Sequence, residues 1–207
     1  MPKLPHPPPR LPALRNAELN LLPAETELWR IYFAGGDRPA SWKGFRRYGP
    51  LGTARFDHHE PPPHLQDRGI LYAARQGPAC FAECFQATRT IDRTRRDPWL
   101  VCFTLDLDLT LLDLGGEWPT RAGASQAINS GPRTRAREWS RSIYQQYAEV
   151  EGVRYPSSML GRAVAVALYE RAEDSIADRP ILHVPLTHPG LQAPIQRIAS
   201  RLGYNVV

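Results

Sequence analysis

Proline decides first what this chain can fold into. Six of its first twelve residues are proline, and the run Pro61-Pro62-Pro63 interrupts a second stretch, residues 35–68, that is also rich in Gly, Arg and His. Each proline ring fixes φ and removes a backbone donor. Residues 1–26 therefore read as a stiff arm that holds neither helix nor central strand, a disordered tail rather than a docking segment. The ordered domain is expected to begin near Glu27 and to run to residue 207. Residues 35–68 read as a long irregular segment, of the kind that is functional or mobile inside a compact domain.

The rest of the chain carries regular patterns. Strands are expected over Glu27–Phe33, Gly69–Ala74, Trp99–Leu107 with an extension at Leu111–Leu114, Ala163–Tyr169, Ile181–Leu186 and Tyr204–Val207. Gly77-Pro78 opens a helix, with proline at a tolerated first position. Phe81, Cys84, Phe85 and Thr88 share one face of it. Further helices are expected over Thr120–Ile128, Thr134–Glu149 and Leu191–Leu202. Strands and helices mix without clean βαβ alternation, which favours a single α+β domain.

Composition narrows the class. Hydrophobic residues at 42% and charged residues at 23% exclude collagen-like, coiled-coil and wholly disordered chains. No apolar run approaches the ~20 residues of a membrane helix, and no signal-peptide core is present, so a soluble, cytoplasmic protein is expected. Three cysteines are too few for a disulfide framework and suit a reducing compartment. Cys80 and Cys84, four apart on a helix, read as core packing. The net charge of +5 is almost wholly arginine, since lysine occurs only at Lys3 and Lys43. Arginine forks suit an anionic partner, and Arg133, Arg137 and Arg141 fall on one helical face. Without a nucleic-acid module signature, and with acids interrupting the runs, direct nucleic-acid binding is not favoured. The patch Asp57-His58-His59-Glu60 with His64 lacks rigid ligand spacing, so no metal is expected. No nucleophile elbow, P-loop or dinucleotide fingerprint occurs.

A quieter group remains. Arg55-Phe56 ends the long segment, Tyr72 lies on the next strand, and Glu83 lies on the helix opened by Pro78, near Ala79, Cys80 and Ala87 rather than Phe81 and Phe85. A carboxylate among small residues leaves room beside it. Spacing alone favours the plain reading: an ordinary surface glutamate, a packed ring and a surface arginine.

Order and spacing add a resemblance. Leu28-Trp-Arg-Ile31, Arg55-Phe56, Gly69-Ile-Leu-Tyr72-Ala-Ala, Ala79-Cys-Phe-Ala-Glu83, the Leu-Asp-Leu passage within 106–114 and Gly152-Val-Arg-Tyr-Pro-Ser-Ser158 together resemble the RES domain family, best over residues 27–186. The resemblance implies a fold like that of ADP-ribosyltransferases, with central mixed or antiparallel sheets and flanking helices. It implies a toxin of a toxin–antitoxin pair that depletes NAD by cleaving its nicotinamide–ribose bond, as glycohydrolase or phosphorylase. It implies Arg55, Tyr72 and Glu83 as the catalytic group, Ser157 in support, Arg30 as a dinucleotide contact, and no cofactor beyond NAD as substrate. The implied partner is an Xre-type antitoxin covering the cleft between the 35–68 segment and Tyr72. Two departures stand out: the Pro-rich stretch before Tyr72 is long, and Gly161-Arg-Ala-Val-Ala-Val stands where an Asn-containing strand often follows. Transfer of ADP-ribose to a macromolecule, or a non-catalytic or RNA-binding module, are the rival readings.

Overall fold

The computed structural model describes residues 3–207. Among the described residues, eleven strands and four α-helices make one α+β domain. The strands are β1 Leu19–Leu22, β2 Leu28–Phe33, β3 Arg46–Gly49, β4 His64–Ala74, β5 Thr90–Ile91, β6 Pro98–Phe103, β7 Leu109–Asp113, β8 Gly152–Pro156, β9 Val164–Tyr169, β10 Leu182–Pro185 and β11 Asn205–Val206. The helices are α1 Gly77–Cys84, α2 Trp118–Arg121, α3 Arg133–Gln146 and α4 Gln192–Leu202.

Nine strands form one mixed sheet in the order β1-β7-β8-β9-β4-β2-β6-β10, with β3 pairing β4 as well. β7 and β8 run parallel; the other pairs in this sheet are antiparallel. Both faces of the central strands are covered, which is why β9 reads Val-Ala-Val-Ala-Leu-Tyr without alternation. Ala165, Ala167 and Tyr169 pack under Trp118, Trp139 and Ile143, while Val166 and Leu168 meet Leu28, Val101 and Phe103 from the other end of the same sheet. The sheet thus curls around its second core.

β4 is the strand that makes a cleft. Its outer edge is shared: β3 takes residues His64–Ile70 and β2 takes Ala74 through Trp29. Between these pairings the two neighbours diverge, and Tyr72 and Ala73 face the gap.

The proline arm departs from expectation. Leu4 and Leu11 are buried in the core with Trp139. Trp139 Nε1 donates to Pro5 O (2.8 Å), Tyr147 Oη to Pro12 O (2.6 Å), and the Leu11 amide to Gln146 Oε1 (2.8 Å). Prolines leave carbonyls without competing donors, so a ring-stiffened arm can feed acceptors to α3 at low entropic cost. β1 is an edge strand, the position that such an arm tolerates.

The 35–68 segment is irregular only in part. β3 and the first half of β4 lie within it, and Asp57, His58 and His59 are fully buried. The helix expected over 120–128 is broken at Gly123, whose φ of +91° ends α2 before a short 3-10 turn at Gln126–Asn129. The strand expected to reach Leu107 stops at Phe103.

Candidate active site

The cleft beside β4 encloses about 1130 Å³, room enough for a dinucleotide-sized ligand. Arg30, Arg55, Tyr72 and Glu83 all line it. Seven arginines contribute to its wall, and Glu83 is its one carboxylate among the described residues.

Glu83 sits in the last turn of α1. Gly77-Pro78 starts that helix against Trp29, and Phe81 and Phe85 bury its far face, which turns Ala79, Cys80 and Glu83 toward the cleft. Thr88 lies beyond the helix and is exposed, outside the face expected for it. Cys80 donates its thiol to Trp29 O (2.9 Å), and burial pushes that thiol well above its usual range, so it stays a neutral packing group.

Both oxygens of Glu83 are held. Ser157 Oγ donates to Oε1 at 2.5 Å, and Gln86 Nε2 lies 3.3 Å from Oε2. Ser157 is itself fixed, since the amides of Met159 and Leu160 each donate to its oxygen (3.1 Å). Gln86 accepts from Arg133 (3.1 Å). Ser157 therefore acts on the carboxylate.

Arg55 is carried by a strip that the fold clamps from several sides. Its guanidinium donates to Gly131 O (2.6 Å). The next amide, on buried Phe56, donates to Tyr72 Oη (3.1 Å), and Ser140 Oγ donates to Phe56 O (2.8 Å). Asp57 accepts from Arg46 (2.8 Å), the Leu51 amide (2.7 Å) and His59 Nδ1 (2.5 Å). Burial works against that carboxylate's charge, but these donors outweigh it and hold the group at about 2. The guanidinium of Arg55 is pushed below its ordinary value by burial and by Arg133, against the opposing pull of Glu83. An arginine so placed gains by meeting an anion.

Tyr72 presents its ring to the cleft while its hydroxyl is committed to Phe56. Burial raises that phenol far above its ordinary value. Arg30 donates to Trp42 O (3.0 Å) and Gly44 O (3.2 Å), and burial lowers it to about 10. It thus fixes the loop after β2 while lining the cleft.

The arginine face of α3 does not form an open basic stripe. Arg133 meets Gln86, Arg137 donates to Gly52 O (3.1 Å), and Arg141 lies 3.8 Å from Glu60. These side chains hold the Arg55 strip. The His-rich patch likewise forms a packed network, with His58 stacked on Tyr144 at 4.3 Å between ring centres. Among the described residues no group of three His, Cys, Asp or Glu is arranged to hold a metal. Sequence reasoning assigned no part to Tyr155 or Asn129, which also line the cleft. Tyr155 was within reach, because it stands two residues before Ser157 in the Gly152–Ser158 passage already singled out.

A RES domain family model matches residues 27–189. This chain belongs to the RES domain family. Among solved structures, a chain of the M. tuberculosis MbcT–MbcA toxin–antitoxin complex is similar at a TM-score of 0.52 and 18% identity, covering 89% of this chain and 94% of that one. That likeness is one of fold. Among curated proteins, no significant match was found. No helix among the described residues is long and apolar enough to cross a membrane.

Proposed function

We propose that this RES domain cleaves the nicotinamide–ribose bond of NAD, with Arg55, Tyr72 and Glu83 in direct contact with substrate. The observation that carries the reading is the single carboxylate, held at both oxygens, in a cleft to whose wall seven arginines contribute. An ordinary glycosidase needs two carboxyl groups, one to protonate its leaving group. A pyridinium leaving group needs none: the C–N bond electrons neutralise the ring nitrogen as nicotinamide departs. What remains is positive charge developing on the ribose, and one fixed anion meets it.

In this reading Glu83 lies beside the anomeric carbon, and Ser157 and Gln86 keep it from swinging away. Arg55 binds the pyrophosphate by charge-assisted bonds. The Tyr72 ring stacks on the cationic nicotinamide, an attraction of about 1–2 kcal/mol when desolvated. Arg30 supports the dinucleotide from β2. Water or phosphate then adds to the ribose, releasing a proton to solvent when water is the acceptor. Family membership and the fold shared with a toxin–antitoxin complex support a toxin role. They also support an antitoxin partner, of Xre type by family resemblance, seated over the cleft mouth.

The test is purified protein incubated with NAD, with release of nicotinamide followed chromatographically, alongside Glu83→Gln. The wild type should release nicotinamide and the variant should be slower by on the order of a hundredfold or more. Repeating the assay with phosphate identifies the acceptor. Release unaffected by the substitution would remove Glu83 from the reaction.

A further inference from the structure

Two polar atoms of residues lining the cleft have no hydrogen-bond partner among the described residues, and they are of opposite kind: the Tyr155 hydroxyl, which is open to solvent, and the buried Asn129 Oδ1. Tyr155 is 8% exposed, lines the cleft, and its hydroxyl makes no hydrogen bond among the described residues. Its ring is pinned against Phe56, with 4.6 Å between centres. Burial raises its phenol well above the ordinary value, so it keeps its proton and can donate; Tyr72, Glu83 and Arg55 are its charged and polar neighbours. Asn129 is 6% exposed and lines the same cleft. Its Nδ2 gives both protons away, to Leu114 O (2.8 Å) and Gln126 Oε1 (3.0 Å), which fixes the orientation of the amide. Its Oδ1 is buried with no donor facing it.

The two atoms belong to neighbouring backbone. Leu114, which Asn129 holds, donates its amide to Arg154 O (2.8 Å), the residue before Tyr155. Gly131, two residues after Asn129, accepts from Arg55. The buried acceptor costs free energy in the empty cleft, and a ligand that donates to it recovers that cost while taking a bond from the free Tyr155 hydroxyl.

We propose that Tyr155 Oη and Asn129 Oδ1 form a primary-carboxamide subsite: the tyrosine donates to the amide oxygen, and the asparagine accepts from the amide nitrogen. Resting on the NAD reading above, the subsite receives the carboxamide of nicotinamide while Tyr72 covers the ring. It also sets specificity, because a carboxylate in place of the amide would bring negative charge against Asn129 Oδ1 and leave that oxygen without a donor. Sites built to bond a particular polar group reject analogues that lack it far more strongly than apolar pockets do.

The test uses free nicotinamide and nicotinic acid titrated against the full chain by ligand-observed NMR, together with turnover of NAD and of its nicotinic-acid analogue. The wild type should bind nicotinamide and disfavour nicotinic acid, and Tyr155→Phe should weaken nicotinamide about tenfold and raise KM for NAD. Because the hydroxyl has no partner in the protein, the variant should keep or exceed the wild-type melting temperature. Equal binding of amide and acid, unchanged binding in Tyr155→Phe, or a lowered melting temperature would each overturn the subsite. Cleavage of NAD without amide preference would leave the NAD reading standing and defeat the subsite. Tyr155-dependent nicotinamide binding without NAD cleavage would do the reverse.

Discussion

The hydroxyl of Tyr72 is bonded to a backbone amide and not to substrate, and this changes what its substitutions should report. Tyr72→Phe leaves the buried Phe56 N–H without an acceptor, a loss of about 1–3 kcal/mol, and it loosens the strip carrying Arg55. Urea unfolding should show that loss. NAD should bind less well even though the stacking face is intact; an unaltered midpoint would mean the amide finds another acceptor. Ser157→Ala should act differently. It frees one oxygen of Glu83 while leaving β8 paired with β9, so turnover should fall with little change in KM. At this scale the helical projection put Glu83 on one face with Ala79 and Cys80, as found, while Arg55, Tyr72 and Glu83 were joined in one site only by the family resemblance; all three line one cleft. Ser157 binding to Glu83 was not legible, because a contact across 74 residues leaves no periodic trace. Asn129 was hidden for the same reason, inside a segment whose helix signal Gly123 interrupts.

Among the elements, the sequence showed best the buried strands with continuous apolar runs and the helices with a clear apolar face. β9, the second half of β4, α3 and α4 lie where periodicity and apolar runs put them. β3, Arg-Arg-Tyr-Gly, and β8, Gly-Val-Arg-Tyr-Pro, are short and partly polar, and their strand character comes from neighbours. β8 also depends on its first residue. A Cβ at Gly152 would lie 2.5 Å from Ala167 O and 3.0 Å from Leu168 Cα, both backbone atoms that cannot swing aside. Gly152→Ala should therefore push β8 off β9, costing about 1–3 kcal/mol and shifting Ser157 away from Glu83, so activity and stability should fall together. The proline arm misled because its apolar anchors, Leu4 and Leu11, are isolated among prolines and show no pattern. Deleting residues 3–14 removes Leu4 and Leu11 from the core and uncovers Trp139. By area the loss is at most about 3–6 kcal/mol, which should appear as a much lower melting temperature. A truncated chain as stable as the full one would mean the arm adds nothing.

At the scale of the whole molecule, acid should be the main chemical threat. His58 is buried, and burial pushes it down to about 4 from 6.5. Unfolded chains take up this proton first as pH falls through 6.5, so stability is complete above that pH and declines toward 4. Glu170 and Asp57 extend the decline. Burial opposes the charge on each, but His58, Tyr144 and the Gly69 amide hold Glu170 at about 2, as the donors already described hold Asp57. Both carboxylates stabilise above their unfolded values of 4.5 and 3.8 and lose that contribution as pH drops toward 2. Unfolding free energy should therefore fall steadily from about pH 6.5 to 4 and go on falling toward pH 2; a flat profile would contradict the buried network.

The contacts that complete the cleft are also distributed in time. Arg55 rests on Gly131 across 76 residues, and Glu83 rests on Ser157 across 74. A ribosome making this chain therefore produces Arg55, Tyr72 and Glu83 long before it produces the groups that hold them. A nascent chain, or one terminated before β8, carries these side chains without the contacts that complete the cleft. On the proposed function, synthesis order alone would keep an unfinished copy inactive.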